Sequence, residues 1–203
     1  MLWKIFVNSS AMLSNGGSMG RKTLKIAVSG KSGCGNTTIS RLVSEKLELS
    51  FINFTFRSLA AEKGLNLKEV LEKAAVDDWW DREVDSRQVA MAQKAEGCVL
   101  GSRLAVWMLK EASLKVYLKA SPETRAERIV RREGGSLEEI TAFTRERDRQ
   151  DRERYLRIYQ IDNDDYSFVD LIVDTDNMGI EEIAGVIIDA VYQRLINEKR
   201  NQV

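Results

Sequence analysis

Gly30, Gly33 and Gly35, followed at once by Thr37 and Thr38, are the residues whose types and spacing most plainly point to chemistry. Glycines at that density let successive backbone N–H groups close on an anion. Where the turn opens a helix, the helix adds its own unpaired donors and a partial positive charge. The stretch follows the pattern GxxxxGK[ST] with one departure, because Asn36 stands where lysine is expected. The chemistry this spacing predicts is polyphosphate binding by Gly30, Gly33, Gly35, Asn36, Thr37 and Thr38. Thr37 offers a hydroxyl to a Mg²⁺ ion whose remaining ligands are phosphate oxygens and water.

Arginines form the second set. Arg57 and Arg103 each follow a short apolar run that reads as a strand, so both can meet the glycine turn at one end of a sheet. From Ser121 to Tyr159 there are ten arginines, nine acidic residues and no lysine. Planar guanidinium forks meet phosphate oxygens in pairs, which a lysine cannot do. Part of the run reads as i,i+4 ion pairs such as Asp148–Arg152. Arg147, Asp151 and Arg154 share a helix face, so two arginines can turn toward a cleft while Asp151 holds them. The chain has no histidine, which excludes Ser–His and Cys–His catalysis. Phosphoryl transfer needs positioning and charge neutralisation more than acid–base work, and these residues suit it.

Those groups need a scaffold, and the sequence reads as alternating strands and helices. Leu24, Ile26 and Val28 mark a strand running into the glycines; Ile39, Leu42, Val43 and Leu47 fall at helical spacing after them. Phe51–Phe54, Cys98–Leu100, Leu114–Leu118 and Phe168–Val173 read as four more strands. Between them lie helices over RSLAAEK, LKEVLEKAA, Asp77–Lys94 and Leu104–Leu109. Another starts at Ser121–Pro122 and ends near Gly134–Gly135, a long one runs from Ser136 to about Ile158, and one closes the chain over Ile180–Leu195. Asn66 with Glu69, and Ser136 with Glu139, are spaced as capping boxes, and Pro122 suits a first helical turn. Short apolar strands without hairpin signals predict an α/β fold, a five-stranded parallel sheet with helices on both faces.

Composition sets the outer bounds. The 203 residues suffice for one domain with a substantial core; 43% are hydrophobic and 31% charged. Net charge is zero, which gives no global field toward nucleic acid or anionic membrane. Cys34 and Cys98 lie far apart without a CxxC partner, so reduced thiols in a cytoplasm are expected. Residues 1–20 are turn-rich and read as a loosely ordered tail. Residues 21–203 read as the domain. Trp79, Trp80 and Trp107 can stack a base, although helix packing is the commoner use of tryptophan.

Longer blocks carry a resemblance. DREVDSRQ (Asp81–Gln88), VLGSRLAVW (Val99–Trp107), LKVYLKASPETRAERIVRREG (Leu114–Gly134), and RERYLRIYQIDNDD (Arg152–Asp165) followed by DLIVDT resemble the nucleoside monophosphate kinases, and more narrowly the type-2, archaeal-type cytidylate kinases. The likeness runs from about Leu24 to Thr175. It implies a P-loop kinase fold with a helical NMP-binding insertion at about 55–95 and a short lid at about 131–150. It implies transfer of the γ-phosphate of ATP, with Mg²⁺, to CMP or dCMP. Arg57 and Arg103 match positions that hold the acceptor phosphate. Arg128, Arg132, Arg147 and Arg154 match lid-region arginines that neutralise the transferred group. Asp85 and Arg87 fall near the pyrimidine.

Two positions depart from the family pattern: Asn36, and Gly101 where an acidic residue is common near the metal. Lys31, early in the loop, is the expected compensating cation. The expected partners are small-molecule nucleotides, ATP and CMP or dCMP, rather than nucleic acid or membrane, for a monomer or weak homodimer. The alternative is a non-catalytic, regulatory nucleotide-binding protein that kept the phosphate loop. Retention of the whole arginine set favours the enzyme, because a sensor has no transition state to neutralise.

Overall fold

The computed structural model describes residues 23–200, so the expected tail over residues 1–20 lies outside the described residues. Five strands, β1 (Lys25–Gly30), β2 (Ser50–Ile52), β3 (Cys98–Gly101), β4 (Leu114–Lys119) and β5 (Leu171–Asp174), form one parallel sheet in the order β2-β3-β1-β4-β5. Eight helices complete the described chain. They are α1 (Asn36–Leu47), α2 (Phe56–Lys63), α3 (Leu67–Ala74), α4 (Trp79–Lys94), α5 (Ala105–Met108), α6 (Pro122–Glu133), α7 (Leu137–Tyr159) and α8 (Ile180–Arg200).

Strand alternation divides the core between the two faces. Ile26, Val28, Val99, Val116, Leu118 and Val173 face one way, onto Ile39, Val43 and Leu47 of α1 and Ile183, Ala184, Ile187 and Val191 of α8. Ala27, Leu100 and Tyr117 face the other way, onto Ala92 of α4, Ala105 and Val106 of α5, and Tyr155 of α7. Burial on both faces explains why the strands read as nearly continuous apolar runs. The winding reverses at β1, which lies between β3 and β4, and a crevice opens beyond the carboxyl ends of these three strands.

Local chemistry sets the helix ends. The Asn66–Glu69 box forms reciprocally, with Glu69 N–H donating to Asn66 at 3.0 Å and Asn66 N–H to the Glu69 carboxylate at 2.7 Å. Ser136 accepts from Glu139 N–H at 3.2 Å, but its hydroxyl, rather than its backbone N–H, donates to the Glu139 carboxylate, so this box is one-sided. A reciprocal box at Thr55–Ser58 opens α2, with a serine in the place where glutamate is usual. The fifth strand begins at Leu171 rather than Phe168, because Phe168 turns against Trp107, ring centroids 5.8 Å apart. Three helices, α2 to α4, fill the β2–β3 crossover, and the α6–α7 corner turns at Gly134 and Gly135, both at positive φ. Among the described residues, no helix is long and apolar enough to cross a membrane.

Candidate active site

The glycine turn joins β1 to α1 at the mouth of the crevice. Ile39 N–H is the first amide of α1 to find a helical acceptor, bonding to the Gly35 carbonyl at 3.0 Å. Among the described residues, the N–H groups of Gly33, Gly35, Asn36, Thr37 and Thr38 have no backbone acceptor. Five donors within six residues, at a helix N-terminus, form a preassembled anion cradle. Gly33 has φ +85°, and a Cβ there would lie 2.7 Å from the Arg125 carbonyl oxygen, so the cradle requires glycine at this position. Thr37 and Thr38 are exposed on the first turn, and no hydrogen bond occupies either hydroxyl among the described residues.

Asn36 takes a different part from the one its place in the pattern implies. Its amide donates to the carbonyls of Val28 and Ser102, both at 3.1 Å, while its own oxygen accepts from Ser40 Oγ at 2.9 Å. The side chain therefore ties the helix start to β1 and to the turn after β3. The Asn36 side chain is thus fully engaged within the protein, and its backbone N–H lies against the buried Cys34 thiol. Gly101 belongs to the same knot: a Cβ there would sit 2.6 Å from Ser40 Oγ and 3.2 Å from Asn36 Oδ1. An acidic side chain at 101 would have no space.

Beyond the cradle, Gly30, Lys31, Arg103, Trp107, Tyr117, Asp148, Asp151 and Asn163 line a small cleft that opens to solvent. Trp107 and Tyr117 meet edge to face, 6.1 Å between centroids, and Tyr166 stacks on Tyr117 at 3.9 Å, giving the cleft an aromatic floor. Lys31 lies on the rim, its ammonium 2.5 Å from Asp164 and 4.0 Å from Asp148. Asp148 is also gripped by both nitrogens of the Arg125 fork, at 3.2 and 2.6 Å. Arg125 in turn donates to the Ser32 carbonyl at 3.1 Å, so this buried arginine locks α7 to the loop. Cys34, buried behind the loop, has its thiol pushed up to about 11 by that burial and stays protonated at neutral pH.

The expected arginines divide into two groups. Arg103 donates to Asp151 inside the cleft, and Arg154 donates to the other Asp151 oxygen at 2.8 Å. Arg147 makes no hydrogen bond or ion pair among the described residues, and desolvation, followed by the nearby Arg103 guanidinium, holds its pKa below the ordinary arginine range. An unpaired guanidinium beside another is an open anion site. Arg57, on the first turn of α2 beyond β2, is exposed and likewise unpaired.

The remaining arginines are engaged elsewhere. Arg128 bonds to Thr175 through its hydroxyl, at 2.9 Å, and its carbonyl, and to the Cys34 carbonyl at 3.5 Å. Its fork braces the back of the loop and does not reach across the cleft. Arg132 is exposed and paired with its neighbour Glu133. Arg87 pairs with Glu62 and Glu83 and lies over the Phe54 ring, on the outer side of the insertion. None of these three offers a free fork to the cleft. Asp85 is half-buried on α4, accepting from the Tyr159 hydroxyl at 2.7 Å; burial lifts its carboxyl to about 6. Trp79 meets Trp80 edge to face at the exposed start of α4, so of the three tryptophans only Trp107 lines the cleft.

Sequence reasoning passed over Arg125, Asn163, Asp81 and Gln88, and it paired Asp148 with Arg152, whereas Asp148 is held by Arg125 and Arg152 pairs with Asp162 and Asp164. Arg125 and Asp148 sit within a run of like residues and carry no local mark. Asp81 and Gln88 do carry one: they fall two turns apart on the same face of α4 as the apolar Val84 and Ala92. Polar residues on an apolar face signal a buried polar site.

The residues from 25 to 177 match the model of the cytidylate kinase-like family, three quarters of the chain. This chain belongs to the cytidylate kinase-like family. Among its relatives, a protein named cytidylate kinase 2 from Borreliella afzelii is 46% identical over 175 residues, covering 84% of this chain and 98% of the relative. A protein named cytidylate kinase from Thermococcus sibiricus is 42% identical over 181 residues, covering 86% and 92%. Solved structures agree on the fold. Shikimate kinase from Acinetobacter baumannii superposes with a TM-score of 0.61 at 17% identity, covering 86% of this chain and 96% of that one. Deoxyadenosine kinase from M. mycoides gives 0.51 at 19% identity, covering 83% and 100%. The family member described here has the P-loop kinase fold, as its sequence pattern predicts.

Proposed function

We propose that this chain transfers the γ-phosphoryl group of ATP to CMP or dCMP, giving ADP and CDP or dCDP. The observation that carries the reading is the row of loop amides without backbone acceptors beside a cleft lined by Arg103, with Arg147 near enough to feel the Arg103 and Asp151 charges, in a chain of the cytidylate kinase-like family. No specific observation favours a non-catalytic nucleotide-binding role.

In this reading the amides of Gly33, Gly35, Asn36, Thr37 and Thr38 hold the ATP phosphates. They cost no reorganisation, because the turn is already formed. Mg²⁺ bound with the nucleotide supplies charge neutralisation, and the free Thr37 hydroxyl is the protein group that fits it. Arg103, aimed by Asp151, holds the acceptor phosphate, and exposed Arg57 joins it from the insertion. An acceptor phosphate oxygen forms a bond to the γ-phosphorus as the β–γ bridging bond breaks, and ADP leaves with the electron pair. The acceptor is already an anion, so no general base is needed. Arg147, which has no ion-pair partner among the described residues, and Lys31, released from Asp164, offset the charge on the moving group. Trp107 and Tyr117 exclude water, the competing nucleophile.

Helices α2–α4 serve as the acceptor-binding insertion and the α6–α7 corner as the lid. The chain acts in the cytoplasm on free nucleotides, as a monomer or weak homodimer. The test is coupled ADP release with ATP, Mg²⁺ and each of CMP, dCMP, UMP and AMP in turn. Turnover with the cytidylates supports the reading; ATP binding without ADP release for any acceptor overturns it.

A further inference from the structure

The turn between α7 and β5 carries charges that the transfer chemistry leaves without a role. Asp162 and Asp164 stand in it on either side of Asn163, a buried residue that lines the cleft. Ion pairs run through this turn in one chain of alternating sign. Its links are Arg125–Asp148 at 2.6 Å, Asp148–Lys31 at 4.0 Å, Lys31–Asp164 at 2.5 Å, Asp164–Arg152 at 3.6 Å and Arg152–Asp162 at 2.6 Å. The links are unequal. Asp148 is gripped by both nitrogens of the Arg125 fork, and Asp162 by two nitrogens of Arg152. Asp164 has no such paired hold among the described residues, and its half-exposed carboxylate stands between two cations, Lys31 on the phosphate loop and Arg152 on α7.

In this arrangement Lys31 has little charge left to offer. One carboxylate lies against its ammonium and a second stands 4.0 Å away. A polyphosphate arriving at the loop meets Asp164 as a like charge beside the cation it needs, and like charges at such range disfavour each other. Asp148 is not free to give way, because Arg125 is 3% exposed and would be left buried without its counter-ion. Asp164 is free to do so. Lys31 meets its Oδ1, while Arg152 Nε already lies 3.6 Å from its Oδ2. A side-chain rotation therefore exchanges Lys31 for Arg152 and leaves the carboxylate paired throughout.

We propose that Asp164 is a positioning residue with two seats: it neutralises Lys31 while the cleft is empty, and it moves onto Arg152 when a polyphosphate takes Lys31. Asp164 thereby sets the affinity for nucleotide through Lys31, without touching the nucleotide itself. The ligand that displaces it is defined by charge, so a nucleoside without phosphates leaves Asp164 on Lys31. Arg152, which the sequence pairs with Asp148, becomes the second seat. This assignment rests on the kinase reading above, in which Lys31 serves the moving phosphoryl group.

The experiment measures the Kd for ATP with Mg²⁺, without any acceptor, by calorimetry at low ionic strength, where exposed charges are least screened. It compares the full chain with Asp164→Asn, with Arg152→Gln, and with Asp164→Asn placed in a Lys31→Met background. The two single changes are expected to act with opposite signs. Asp164→Asn frees Lys31 and lowers Kd by about two- to fivefold, the ceiling for a pair this exposed. Arg152→Gln removes the second seat and raises Kd by about twofold. In the Lys31→Met background Asp164→Asn brings no gain, because the partner through which it acts is gone. Structural damage raises Kd in every variant and does not produce a fall. A Kd unchanged or raised by Asp164→Asn, a fall that persists without Lys31, or a Kd that Arg152→Gln does not raise overturns the proposal. If the unchanged chain binds ATP and one of these results appears, only the Asp164 assignment fails. If the unchanged chain binds no ATP, the kinase reading fails and this assignment with it.

Discussion

The side-chain amide of Asn36 donates to the Ser102 carbonyl at 3.1 Å, turning the group at the lysine position of the phosphate loop inward, onto the end of the sheet. With its second bond to Val28, the amide fastens the loop to two strand ends at once. Asn36→Ala leaves both carbonyls without this donor, and the expected loss is about 1–2 kcal/mol. Thermal unfolding checks it: Tm should fall by several degrees. An unchanged Tm would mean that the two bonds contribute nothing to the loop's hold.

If Asn36 gives no charge to the cleft, another cation must do so. Lys31 is on the rim, held by Asp164 and Asp148. Lys31→Ala should lower kcat/KM for ATP by about 10- to 100-fold while Tm moves little, because a half-exposed ion pair contributes at most about 1 kcal/mol. Unchanged kcat/KM would remove Lys31 from the reaction.

Arg103 presents a fork, and forks are not replaced by ammonium groups. Arg103→Ala should lower kcat/KM for CMP by about 100-fold, and Arg103→Lys should recover only part of that, since it keeps the charge without the paired donors. The same two variants should leave the KM for ATP nearly unchanged. Steady-state kinetics with each substrate varied in turn separates the two effects.

Asp85 gives the stability curve a pH dependence of known sign. Its folded-state pKa is about 6, raised chiefly by burial and also by Asp81; the Tyr159 hydrogen bond, Arg154 and Arg103 act the other way. The native chain therefore binds more protons than the unfolded chain between about pH 4 and pH 6, and this residue's contribution to stability falls as pH rises through that window. Asp85→Asn removes the titration while keeping an acceptor for Tyr159. The variant should melt a few degrees above the unchanged chain at pH 7, with the gap closing toward pH 4. A gap that does not vary with pH would contradict the buried carboxylate.

Most of the fold is legible in the sequence because its signals are local. The glycine turn, the Asn66–Glu69 box and Pro122 at a helix start each fix a boundary, and the apolar strand runs report a sheet covered on both faces. The site is legible only in part. Arg57 and Arg147 make no hydrogen bond or ion pair among the described residues, while Arg103 lines the cleft and is held by Asp151. Arg128 and Arg132 look the same in sequence, yet one is bound to Thr175 and the other to Glu133. Which arginine in a run of ten stays free depends on partners far along the chain, and spacing does not encode that. The Asn36 knot was hidden for the same reason: Ser102 lies 66 residues away.

The central claim is that the unpaired loop amides and the open arginine forks move a phosphoryl group between two nucleotides. It is tested most directly by following γ-labelled phosphate from ATP in the presence of Mg²⁺ and CMP. The account predicts that the label appears in the β-phosphate of CDP as ADP forms. Label recovered only as inorganic phosphate, or remaining wholly in ATP, would contradict it.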